Sequence, residues 1–132
     1  ITVVATIAAF LLGHVFWPDP EGAMQPTSAQ LPFFVVISFI EALSFGLGLS
    51  FLILGYSMAM KPTTTSKNDV LGTYISIAWL MMSWWPHDNL HRVNGMDFAG
   101  LIKIDYAFHF TLIIAALTVA KFFWRTVKHT GT

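Results

Sequence analysis

The sequence predicts an all-α membrane protein, a polytopic up-down bundle of four transmembrane helices in a single domain covering residues 1–132. Three observations predict it. The chain is 55% hydrophobic and only 11% charged, where a soluble domain carries about 25% charged residues. Its mean hydropathy is +0.65. Four apolar runs alternate with short segments rich in Pro, Gly, Thr and Asn, the residues that punctuate helices. Twelve Phe and five Trp suit spans with interfacial rings.

The first run, 1–17, falls short of the ~20 residues that cross a bilayer. It lacks a small-residue cleavage site, so it reads as a span that begins upstream of Ile1 rather than as a signal peptide. Pro18 and Pro20, with Gly22, stop it, because proline removes a backbone donor and pushes its predecessor out of the helical region. The second run, 32–58, opens on Pro32 at a first-turn position where a missing N–H costs nothing. A polar connection, Lys61 to Asp69, follows. The third run, 70–85, is short unless the stretch to Val93 extends it. Pro86 kinks it and can open a new turn, and Asn94 with Gly95 forms a left-handed stop. The fourth run covers 98–124, and the tail from Arg125 is polar.

Basic residues near span ends set orientation. Lys61, Lys67, Lys121, Arg125 and Lys128 fall at one face, and Arg92 and Lys103 at the other. This bias predicts a plasma-membrane protein with a cytoplasmic C-terminus. Seven basic and seven acidic residues leave no net charge, and no basic patch for nucleic acid exists. The absence of cysteine excludes disulfides, thiolate metal sites and cysteine nucleophiles.

Chemistry concentrates between Trp84 and Gly95, the densest titratable patch. His87 and His91 are four apart and share a helical stripe, as do Asp105 and His109. His14 lies three residues from the end of the first run. Glu41 lies nine residues into the second, roughly 13 Å deep at 1.5 Å per residue. With this topology all six fall in the outer half and are expected to gather as one buried polar cluster. Glu41 shares a side of its helix with Ser44, Gly48 and Gly55, small residues that let membrane helices approach closely. An ionised carboxylate at that depth costs several kcal/mol unless paired.

His87, His91, His109, Asp105, Glu41 and His14 are therefore the candidate metal ligands. Imidazole and carboxylate donors without thiolate suit Cu, Fe or Zn. The same groups could instead form a structural hydrogen-bond network or a proton-coupled pathway for a small solute. The Asp105-x-x-x-His109 spacing is similar to part of the copper-binding pattern in the C subunit of copper membrane monooxygenases. That pattern's second downstream histidine is absent, so two residues assign no family. Short loops leave no extramembrane domain. The reading that follows is a small accessory subunit of a larger membrane complex, in contact with lipid and with other subunits or further copies of itself. The alternatives are a metal-dependent membrane oxidoreductase component and a proton-coupled carrier. No catalytic residue is assigned.

Overall fold

The structure, a computed structural model, describes residues 1–130 apart from Met24, 62–64 and Met96, with backbone alone at 129 and 130. The middle of the polar connection and the end of the tail therefore lie outside the described residues. All regular structure among them is helical: α1 (Thr2–Phe16), α2 (Leu31–Leu54), a single turn α3 (Tyr56–Ala59), α4 (Lys67–Met82), α5 (Trp84–Asn94) and α6 (Phe98–Thr130).

Two helices, α2 and α6, are long and apolar enough to cross a membrane. Their apolar windows are 22% and 6% buried. The core helix of a soluble domain would be covered by its neighbours, whereas Phe33, Phe34, Val36, Ile40, Phe110 and Leu117 stand open on the surface. So much contiguous exposed apolar area marks a membrane or partner surface. α1, with 15 residues, spans about 22 Å at 1.5 Å per residue.

Antiparallel neighbours pack in the order α1, α2, α4, α6, and α5 follows α4 in contact with α2 and α6. Among the described residues the long helices pair as α1–α2, α2–α4 and α4–α6, an open row. Small residues on two sides of α2 admit two of these neighbours. Gly46 and Ser50 meet Thr2 and Thr6 of α1, and Gly48 meets Ala78, Met81 and Met82 of α4. The Thr2 and Ser50 hydroxyls lie 2.6 Å apart. Ser50 also donates to the Gly46 carbonyl at 2.9 Å. Such close backbone approach supplies packing and polar contact where burial of apolar surface gives no net drive. On the far side, α4 packs on α6 through Trp79, whose indole stacks on Phe108 at 5.7 Å and donates to Thr111 at 3.1 Å.

The third run is two helices rather than one. Pro86 has no N–H for the Met82 carbonyl and its ring crowds that carbonyl. α4 ends there and α5 starts after Ser83. Beside the break, Ser44 of α2 donates to the Met81 carbonyl at 2.7 Å and ties the end of α4 to α2. The left-handed stop is present: Gly95 has φ +53°, and its N–H reaches the His91 carbonyl at 3.0 Å. At the opposite end, the second helix stops at Leu54, short of the expected 58. The Tyr74 hydroxyl sits 2.7 Å and 2.5 Å from the Phe51 and Leu52 carbonyls, capping the end from α4.

A glycine contrast tests the row. A methyl group at Gly46 would sit 2.8 Å from the Thr2 carbonyl, against 3.8 Å from the nearest atom at Gly72. Gly46→Ala should destabilise the protein by about 1–3 kcal/mol through overpacking. Gly72→Ala should be neutral or stabilising by about 0.5–1 kcal/mol. Thermal unfolding of both in the same detergent separates them, and equal melting temperatures would remove the α1–α2 contact from the account.

Candidate metal centre on the α5–α6 hairpin

α5 is polar on both sides. A helix turns about 100° per residue, so His87 and Asp88, or His91 and Arg92, project in different directions. One side faces α6. There His91 Nε2 lies 3.0 Å from His87 Nε2 and 2.9 Å from Asp105 Oδ1. His87 Nε2 and His109 Nδ1 each lie 3.8 Å from that same oxygen. The ligand atoms of His87, Asp105 and His109 all fall within 4.8 Å of one another. Nitrogen and oxygen donors about 2.0–2.1 Å from a tetrahedral ion stand roughly 3.3 Å apart. Small side-chain rotations would therefore bring the three onto one centre.

The protonation pattern fits that use. A proton on His91 Nε2 can donate to Asp105 Oδ1, and turning His91 away from His87 would leave the His87 Nε2 lone pair free for a cation. Burial first, then the nearby His91 and His109 rings, hold His87 below the ordinary imidazole pKa against the opposing pull of Asp105. Neutral imidazole is the ligating form. The His87 ring packs on His109 at 5.1 Å and on Phe108 at 5.0 Å. Because Phe108 also stacks on Trp79, the α4 contact helps fix the hairpin that carries the donors.

The other side of α5 faces α1 and α2 across a cavity of about 40 Å³, lined among others by His14, Glu41, Asp88, Asn89 and Arg92. It is roomy enough for water. Arg92 closes it as a clamp. One guanidinium nitrogen lies 2.8 Å from His14 Nδ1 and 3.3 Å from Asp19 Oδ1. The other donates to the Trp17 carbonyl at 2.7 Å and to Asn89 Oδ1 at 3.0 Å. The fork of an arginine serves several acceptors at fixed angles where a lysine serves one. Glu41 meets Asp88 across the cavity.

The six candidate residues thus divide. His87, His91, Asp105 and His109 come together, whereas His14 and Glu41 stand on the far side of α5 with Asp88 and Arg92. Nor is the His/Asp group buried as expected. The Asp105 side chain is 42% exposed and that of His109 58%, because α6 is the edge of an open row. Arg92, Asn89 and Asp19 were not singled out by sequence. Arg92 was legible in principle, as the lone arginine within the polar patch, one position and therefore about 100° beyond His91.

Replacing Arg92 by Gln should free the last turn of α1. Amide exchange at Trp17, whose N–H bonds Gly13 at 2.9 Å, is expected to rise on the order of tenfold, the value of one charge-assisted hydrogen bond. Unchanged exchange would show that the clamp holds nothing. Separately, the His87 ring should titrate below free imidazole in a histidine-resolved NMR series, and a midpoint above it would contradict the packing described. Compared with known proteins, the chain matches no protein-family model, no curated protein and no solved structure.

Proposed function

We propose that the chain is a small, four-span integral membrane subunit whose α5–α6 end holds one transition-metal ion through His87, Asp105 and His109. The observation that carries this is the mutual approach of those three ligand atoms. His91 acts behind them, hydrogen-bonding Asp105 as groups around a metal fix its ligands. Cu, Fe and Zn all accept two imidazoles and a carboxylate. Four-span insertion is supported by the antiparallel alternation of the long helices and by the apolar character of α1 beside α2. The grouping of Lys61, Lys67, Lys121, Arg125 and Lys128 at one end and of Arg92 and Lys103 at the other supports a cytoplasmic C-terminus. An open row with an exposed α6 edge supports the subunit reading, since a partner helix could close it.

The second reading is a metal-dependent oxidoreductase component. It is favoured by the exposure of His109 and by a three-donor set, because catalytic centres keep a coordination position open whereas structural zinc sites are closed.

Elemental analysis of detergent-purified protein tests both. Wild type should carry about one equivalent of Zn, Cu or Fe, the stoichiometry of a mononuclear site. His87→Ala and His109→Ala should lose it, while His14→Ala and Glu41→Gln should keep it. Copper or iron would favour the oxidative reading and zinc the structural one. Metal-free wild type after reconstitution with each ion, or equal loading in the ligand variants, would remove the proposal.

A further inference from the structure

The end of the molecule away from α5 carries a different chemistry. Arg125 of α6 meets Asp69 in the first turn of α4, with Nη1 2.8 Å from Oδ2. This contact brings the last turns of α6 beside the start of α4. Along α6, Lys121, Arg125 and Lys128 recur at i, i+4 and i+7, which is one stripe of a helix. Lys67 opens α4, and Lys61 follows α3, which packs on α4. All five basic side chains are exposed. The one acid that meets them among the described residues, Asp69, is already engaged by Arg125. The rim is therefore cationic, and it sits directly below the apolar surface of α2 and α6.

Its aromatic content fixes the depth. Trp124 is 66% exposed and Tyr56 52%, and Lys128 Nζ lies 5.4 Å from the centre of the Trp124 ring. Indole and phenol rings settle at the boundary between acyl chains and headgroups. A lysine held over such an indole is held at the height of the lipid phosphates. Lys121 lies one turn nearer the apolar segment and reaches the same height by extending its stem.

We propose that the Lys121–Arg125–Lys128 stripe of α6 is a binding site for the headgroup of an anionic phospholipid. The acyl chains of that lipid would lie along the exposed apolar face of α6. A soluble phosphate would gain the charges and none of that face. A zwitterionic lipid would gain the face but pay for its choline beside a net cationic stripe. An anionic lipid gains both. The site is remote from the α5–α6 donors and does not depend on a metal being held there.

Native mass spectrometry of the full chain, released from mixed micelles of equal phosphatidylglycerol and phosphatidylcholine, tests this. Wild type should retain phosphatidylglycerol preferentially. Lys121→Gln combined with Lys128→Gln should cut that preference by about twenty-five-fold, since each surface cation contributes about fivefold. A charge-neutral swap, Arg125→Asp with Asp69→Arg, should keep it, because the rim retains its net charge. It also guards against loss of the α4–α6 contact. Equal retention of the two lipids by wild type, or an undiminished preference in the double glutamine variant, would overturn the site. So would displacement of bound phosphatidylglycerol by inorganic phosphate, which would assign the rim to a soluble anion instead.

Discussion

One absent hydrogen bond organises the polar end of this protein. At Pro86 the chain cannot bond to the Met82 carbonyl, and the third long helix breaks at Ser83. Beyond the break α5 keeps the neighbours of α4 and touches both α2 and α6. A single eleven-residue helix then serves two separate polar assemblies, one on each side. The helix resumes with the His87 N–H on the Ser83 carbonyl at 3.0 Å, and beside the break Ser44 of α2 donates to the Met81 carbonyl at 2.7 Å. That bond ties the end of α4 to α2.

The middle of the molecule rests on a different constraint, the width of α2. Small residues on two sides allow close neighbours on both, so α2 is an interior helix and α1 and α4 flank it. α6 buries little beyond Ala115 among its described residues. The consequence is a row with an edge rather than a ring. That edge carries Asp105 and His109, which explains why charged and titratable groups there remain half open to their surroundings.

Much of this was legible in the sequence. The helical class, the kink at Pro86, the stop at Gly95 and the pairing of His87 with His91 and of Asp105 with His109 all follow from local rules of spacing and backbone freedom. What failed was convergence. The polar residues do come to one end of the helices, but position along a helix axis says nothing about azimuth. Whether His14 and Glu41 face His87 or face away depends on which side of α5 each helix lies. That is set by the Gly46 and Gly48 contacts of α2, long-range packing that no periodicity reports. The end of α2 at Leu54 rather than 58 has the same origin, since the Tyr74 hydroxyl that caps it comes from another helix.

The turn at Gly95 joins α5 to α6 within a few residues, so every donor of the proposed centre belongs to one helical hairpin. Closing so short a loop costs little entropy compared with drawing ligands from distant parts of a chain. Its donors can therefore meet as soon as this one hairpin folds, before α6 finds its place against α4.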